Sequence, residues 1–408
     1  MTAATVATAL TGSDEGGLPP LHGVTVVEMA NVISGPFTGM LLADLGADVV
    51  KVEMPGQGDV FRQWAGDTEQ MSPPFAAFNR RKRSVTIDVR NPDGARAYLA
   101  LTRTADVVVE NFRPGTLDRL GVGFDAVRAE NPDVVYCAIS GVGQTGPESH
   151  RPTYDAIAQA KSGLTSQLTD LTAPEPVGPP LSDQITGMYA AQGILAALVQ
   201  RRTGSGGQRV DVNMLGAALS FQTIAVAGNL MAGVVPDKVS RAIRSQTYAF
   251  VASDGRPFAI HLSTPHKFWV GLTDVIGRPE LRDDPRFITK PDRMRHYDDL
   301  RIELANMFAT RPREQWLVAL HDRDVPAGPI NTIDEALADE QVQHLDLVHA
   351  FGEENDSLRL IESPIAFGAA GVAARTRPPR IGEHTDEVLA AAGLEPDQLE
   401  RLRTAGVV

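Results

Sequence analysis

Val24-Thr-Val-Val-Glu-Met29, Ala30-Asn-Val-Ile-Ser-Gly-Pro36, Phe37 to Leu45 and Val49-Val-Lys-Val-Glu53 follow one another in a single run. They read as strand, loop, short helix and strand. Two apolar strands joined by a helix over so short a span form a parallel βαβ unit of the Rossmann type, with a right-handed crossover. Glu53 closes the second strand where a dinucleotide enzyme places its ribose-binding acid. The loop between the first strand and the helix, however, has no G-x-G-x-x-G. Without those glycines the backbone cannot make the tight turn and close approach that a pyrophosphate needs. The sheet is therefore Rossmann-like, and an NAD-dependent activity is set aside.

Outward from this unit the alternation continues. Asn91 to Arg103 reads as a helix with Pro92 in its first turn, where proline is tolerated. Ala105-Asp-Val-Val-Val-Glu-Asn-Phe112 and Val134 to Ile139 are nearly continuous apolar strands, as the interior of a parallel sheet requires. Arg209-Val-Asp-Val-Asn-Met214 alternates with period two. Asn111-Phe-Arg-Pro-Gly115 leaves its strand at the carboxyl end, the side on which open α/β sheets bind ligands. Ser140-Gly-Val-Gly-Gln-Thr-Gly-Pro147 leaves another, and its glycines suit tight turns, a lid or backbone donors. Arg80-Arg-Lys-Arg83 places four cations together in a chain of formal net charge −13. Against that background the run is read as a phosphate-binding candidate, with a solvated loop as the alternative.

Gly178-Pro-Pro-Leu-Ser-Asp183 then brings a carboxylate to the start of a long helix. Ile185, Met188, Ala191, Leu195, Leu198 and Val199 recur at helical spacing and predict one buried face. Gly187 and Gly193 are poor helix formers, so they predict close packing against another backbone. Gly204 after Arg201 and Arg202 marks the stop. Two readings of Asp183 stand at this point. It is an N-cap accepting the first-turn amides, or it is a nucleophile kept ionised by the positive end of its helix.

Composition narrows the chemistry. The acidic balance argues against nucleic acid or an anionic membrane as partner. A single cysteine, Cys137, lies inside an apolar strand and excludes a disulfide framework. No His or Cys spacing suits a metal, no G-x-S-x-G elbow is present, and no Walker A loop is present. Among common covalent options a carboxylate nucleophile remains. Residues 1–18 are small and polar, without the basic start and apolar centre of a secretory signal, and read as a flexible tail of a cytoplasmic protein. Residues 19–233 form a large Rossmann-like domain. The composition shift at Val235-Pro-Asp-Lys238 opens a smaller α+β domain over 234–327, with a hairpin from Thr247 to Ser263. Residues 328–408 return to the large domain.

Taken together and in order, several motifs resemble the family III CoA-transferases. They are Gly46-Ala-Asp-Val-Val-Lys-Val-Glu53 with Pro55 and Gly58-Asp59, Asn79 to Ser84, Val109-Glu-Asn-Phe-Arg-Pro-Gly115, Gly204-Ser-Gly-Gly-Gln-Arg-Val-Asp-Val212 and Gly382-Glu-His-Thr385. The resemblance runs from about Leu21 to the C-terminus and implies an interlocked homodimer. It also implies that Asp183 attacks the thioester carbonyl of an acyl-CoA, giving a mixed aspartyl anhydride and then an aspartyl-CoA thioester. Coenzyme A thioester enters as substrate, with a carboxylic acid as acceptor and no prosthetic group. By the same resemblance Val32, Ile33 and Ser34 line the pantetheine, and Ile87 and Arg90 flank the adenine and its phosphate. Asn111, Phe112, Arg119 and Leu120 hold the nucleotide and diphosphate. Met54 stands where the oxalate enzyme of the family has an arginine, so Arg80 to Arg83 or Arg90 take over that charge. The related α-methylacyl-CoA racemases carry a histidine base where this chain has Tyr154. A phenol with an ordinary pKa of about 10 is a poor base at neutral pH, which favours transfer over racemisation. A CoA-binding protein without activity is the third reading. The oxalate enzyme's glycine run has no counterpart near Gln246 to Ser253, which disfavours oxalate.

Overall fold

The strands β1 (Thr25–Met29), β2 (Asp48–Glu53), β3 (Lys82–Thr86), β4 (Val107–Glu110), β5 (Val135–Ser140) and β6 (Gln208–Asn213) form one sheet in the order β3-β2-β1-β4-β5-β6. Every pairing in it is parallel. The order reverses direction between β1 and β4, and a crevice opens at the carboxyl ends of strands flanking such a switch point. The structure is a computed structural model, and it describes residues 17–64, 71–263, 265–352, 358–368 and 371–408. The tail read over 1–18 lies outside the described residues up to position 16.

Period-two alternation splits the strand side chains between two cores. Val26, Val49, Val107, Val109, Val135, Cys137 and Ile139 face α1 (Ser34–Asp44) and the long helix Leu181–Gln200. Val27, Val50, Val85, Val108 and Tyr136 face the helix Pro92–Thr102 and the C-terminal helices Thr385–Ala391 and Pro396–Thr404. The fold is thus an α/β sandwich with helices on both faces, as parallel strands require.

The chain divides into two compact units. Met1–Leu164, Val177–Val226 and Leu347–Val408 form the first; Thr165–Pro176 and Ala227–Asp346 form the second. The second unit is built on the antiparallel strands Thr247–Val251, Pro257–His261 and Ala327–Pro329. Its core gathers Tyr248, Phe250, Phe258, Trp269, Phe287, Phe308 and Trp316. Pairing of Ala327–Pro329 with Pro257–His261 carries this unit past the 234–327 span read from composition.

The apolar stretch from Leu219 to Leu230 belongs to two helices, Met214–Phe221 and Thr223–Ala232, bent by 77° at Gln222. The Gln222 side chain explains the break, since its amide donates to the carbonyls of Ala218 and Ser162. On the long helix, Met188 and Val199 are exposed; the buried face is Ile185, Gly187, Ala190, Ala191, Ile194, Ala197 and Leu198. Small residues dominate it because a neighbouring helix comes close. A Cβ on Gly187 would lie 2.8 Å from the Phe37 ring and 3.0 Å from the Ser34 carbonyl. Gly193 makes room for the Val210 side chain rather than for a backbone.

Candidate active site

The helix Leu181–Gln200 starts two residues before Asp183, so Asp183 sits in its first turn and is not the N-cap. Another carboxylate has the capping role. Asp155 Oδ1 accepts hydrogen bonds from the Ser182 amide (2.8 Å), the Ser182 hydroxyl (2.7 Å) and the Asp183 amide (3.3 Å). Because Asp155 satisfies these first-turn donors, the Asp183 carboxylate is released from the helix end. It faces the first residue of α1 across the cleft, where the hydroxyl and backbone N–H of Ser34 favour its charged form. The close approach at Gly187 brings the two helix starts together.

Asp183 is 8% exposed and lines a cleft with Asn31, Ser34, Asn111, Phe112 and Tyr154. Burial raises its pKa, the like charge of Asp155 raises it further, and the two Ser34 hydrogen bonds offset this in part; the result is about 7. The expectation that its own helix terminus keeps it ionised is therefore corrected. Asp155 neutralises that terminus, and desolvation wins. A carboxylate whose pKa is raised towards neutrality is a stronger base and nucleophile than an exposed one.

The structure brings Val32, Ile33, Ser34, Asn111 and Phe112 together with Asp183 in this cleft. The β1–α1 loop and the loop after β4 supply them from either side of the switch point. Asn111 ties the two loops, accepting from the Asn31 amide (3.0 Å) and donating to the Asn31 carbonyl (2.8 Å). Gly35 allows that approach, since a Cβ there would stand 2.3 Å from that of Ala30. Ile87, Arg90, Arg119 and Leu120 do not line the cleft. Ile87 is buried in the sheet core, and Leu120 packs against the same core. Arg119 is exposed and bonds to Thr116. Arg90 is exposed, pairs with Asp88 (2.8 Å) and lies 3.4 Å from the Met54 sulfur.

The cations of the basic run are engaged in ion pairs within the protein. Arg80 pairs with Asp44 (2.5 Å), Arg81 with Asp44 and Glu362 (both 2.8 Å), Lys82 with Glu28 (2.7 Å) and Arg83 with Asp48 (2.5 Å) and Glu387 (2.7 Å). The first three side chains are buried, so internal carboxylates consume their charge. Glu53 is likewise no ribose acid: it is buried against Arg62 (2.6 Å) and the Ser84 hydroxyl (2.6 Å). Cys137 is buried in β5, and burial pushes its thiol up, which removes it as a nucleophile. Among the described residues no cluster of His, Cys, Asp and Glu suits a metal ion, and no single helix is long and apolar enough to cross a membrane.

The sequence reading missed Asp155 as the cap. Its one signal is an aspartate at a predicted helix start, which reads as a local cap rather than a bond to a helix 27 residues away. It also missed Arg151 as a cleft residue, whereas Arg113 and Ser140 lie in the two strand-end stretches it singled out.

An open parallel α/β sheet with a buried carboxylate at its switch-point cleft suits covalent chemistry on a nucleotide-bearing substrate. Residues 21–385 match CoA-transferase family III. An acyl-CoA transferase of Fusarium pseudograminearum is 34% identical over 95% of this chain and 88% of its own length. The succinyl-CoA:glutarate CoA-transferase of Mus musculus is 34% identical over 97% and 92%. Among solved structures, a CAIB/BAIF family protein from Brucella suis superposes with a TM-score of 0.82 at 33% identity, over 92% of this chain and all of that one. The chain belongs to CoA-transferase family III and is a CoA-transferase.

Proposed function

We propose that this enzyme moves CoA from an acyl-CoA to a carboxylic acid through covalent intermediates on Asp183. The observation that carries the reading is the division of labour between two aspartates. Asp155 caps the helix, and Asp183 is left buried in the cleft, facing Ser34. An ionised Asp183 oxygen attacks the thioester carbonyl; the C–S bond breaks, CoA leaves as thiolate, and a mixed anhydride remains. The thiolate attacks the aspartyl carbonyl, which releases the donor acid and forms an aspartyl-CoA thioester. An incoming carboxylate reverses the two steps and leaves as its own CoA thioester. Each exchange keeps an activated acyl bond, so none is lost to hydrolysis. The developing oxyanions need donors. The Ser140 hydroxyl at the end of β5, buried in the wall of the cleft and without a partner among the described residues, is the candidate.

CoA is held by the loops at 32–34 and 111–112, with Arg90 supplying the cation that Met54 does not. Val32, Ile33, Ser34, Asn111 and Phe112 form the near part of that site; Ile87, Arg119 and Leu120 belong to its distal part. The acceptor is a dicarboxylic acid. Relatives are named for glutarate, D-citramalate and L-malate, and Arg113 lines the cleft with no carboxylate paired to it among the described residues. The enzyme acts as a cytoplasmic homodimer. In support, the helix Thr223–Ala232 is apolar along its length yet buries no residue, with Ile224, Leu230 and Met231 exposed. Light scattering after size exclusion should give twice the chain mass, and Leu230→Glu with Met231→Glu should shift it towards the monomer.

Incubation with a panel of acyl-CoA donors and acids, read by mass spectrometry, should show CoA moving between acids. Deuterium entering the α-carbon without CoA exchange would instead identify a racemase. Tyr154, which is 68% exposed at the cleft, offers no base for that reaction.

The pH dependence follows from the geometry. Because the ionised carboxylate is the nucleophile and its pKa is raised to about 7, kcat/KM should rise tenfold per pH unit below that value and level off above it. Ser34→Ala removes one of the hydrogen bonds that favour the charged form. It should move the acid limb to higher pH by about one unit.

A further inference from the structure

Four ionisable side chains lie where the sheet interior would otherwise be apolar: Glu28 on β1, Lys51 on β2, Lys82 on β3, and Asp59 after β2. All are buried. Lys51 Nζ is 3.0 Å from Glu28 Oε1 and 3.0 Å from Asp59 Oδ2, and Lys82 Nζ is 2.7 Å from Glu28 Oε2. Buried pairs of this kind seldom add stability over apolar residues of the same volume, so their presence calls for another reason.

Apart from a bond from Lys82 to Asn79 Oδ1 (2.9 Å) and one from the Phe61 amide to Asp59 (2.9 Å), their other hydrogen bonds converge on the loop joining β1 to α1 and the first turn of α1. Lys51 donates to the Ala30 carbonyl (2.7 Å), Lys82 donates to the Pro36 carbonyl (2.8 Å), and the Asp59 carboxylate accepts from the Val32 amide (3.3 Å to each oxygen). The loop is thus held at its start and in its centre, and the first turn of α1 beyond it is held as well. Val32 in its centre has φ of +68°, a left-handed conformation that a β-branched residue rarely adopts. Ser34, two residues further on, is the residue whose N–H and hydroxyl meet Asp183.

We propose that Lys51 and Asp59 are positioning residues of the active site: their buried ion pair holds Val32 in the left-handed conformation that aims Ser34 at Asp183. This rests on the reading of Asp183 as nucleophile. The charged or titratable groups that face Asp183 are Asp155, on the helix start packed against it, and Tyr154, Arg113 and Arg151 around the cleft. None of these touches the ion pair, so the pair acts through Ser34.

The test is the pH profile of kcat/KM for the acyl-CoA in Asp59→Asn and in the combined variant Lys51→Met with Asp59→Asn. The combined variant keeps the interior charge balanced, with Lys82 still opposite Glu28, and so separates positioning from folding. Both should lose about 10- to 100-fold in kcat/KM, with the acid limb moved up by about half a unit to one unit. Adding Val32→Gly to Asp59→Asn should recover part of the loss, because glycine takes the left-handed conformation without strain. A combined variant that unfolds cooperatively and keeps the parent profile overturns the proposal. So does a loss in Asp59→Asn that Val32→Gly leaves unchanged. If Asp183→Asn stays active, the nucleophile reading fails; if Asp183→Asn is inactive and only these variants behave as the parent, positioning alone fails.

Discussion

Asp183→Asn should lower the rate of CoA transfer by at least about 10³-fold while leaving CoA thioester binding within a few-fold of the parent, because an amide cannot form the anhydride. Its geometry is kept, since the amide oxygen still accepts from the hydroxyl and N–H of Ser34. The same variant should gain stability at pH 8. The carboxyl of Asp183 holds its proton to about pH 7 in the folded protein, well above the value for an unfolded chain. The folded state therefore binds more protons between about pH 4 and 7, and stability is lost as the pH rises through that window. Asparagine does not ionise and escapes the loss. Thermal unfolding of both proteins at pH 5 and pH 8 reads this: the difference should appear at pH 8 and shrink at pH 5. An inactive variant destabilised equally at both values would point to a structural carboxylate instead.

Glu28→Ala should be the most damaging single change to the fold, at about 3–5 kcal/mol, because it leaves a buried charge without its partner. Lys51 keeps Asp59, but Lys82 is left with carbonyl and amide oxygens alone. Burial already lowers the Lys82 pKa to about 8, with Glu28 the main group opposing that fall. Without Glu28 the amine loses its proton more readily in the folded state, while the unfolded chain still holds it up to about pH 10. The deficit should therefore narrow as the pH is raised from 7 to 9. Urea unfolding at the two pH values measures it. Gly39 shows how closely the interior is built around this carboxylate, for a Cβ there would stand 1.9 Å from Glu28 Oε2.

The sheet was legible because apolar runs and their spacing carry its information. Val24 to Glu53 and Val107 to Val109 need nothing beyond local pattern to be placed as buried parallel strands. Asp183 was legible as a candidate from its place at a helix start and from the family motifs, and the structure places it in the cleft. What pattern could not supply was pairing at a distance. Arg80 to Arg83 looked like an anion site because a linear reading sees four cations and not Asp44, Glu28, Glu362 and Glu387, which fold onto them. The pKa of Asp183 was misjudged for a related reason. Its own helix terminus is visible in the sequence, while Asp155, which occupies that terminus, arrives from another helix. Glu28, Lys51 and Glu53 did interrupt apolar strands, a signal that charge was being buried for a purpose. Only the geometry showed their partners, among them the Ala30 carbonyl for Lys51.

The central claim is covalent catalysis at Asp183. It is tested most directly by incubating the enzyme with an acyl-CoA, quenching with hydroxylamine, and mapping the peptides by mass spectrometry. Conversion of the Asp183 side chain to its hydroxamate, dependent on acyl-CoA and absent without it, is the predicted result. Full transfer activity with an unmodified Asp183 under the same conditions would contradict it.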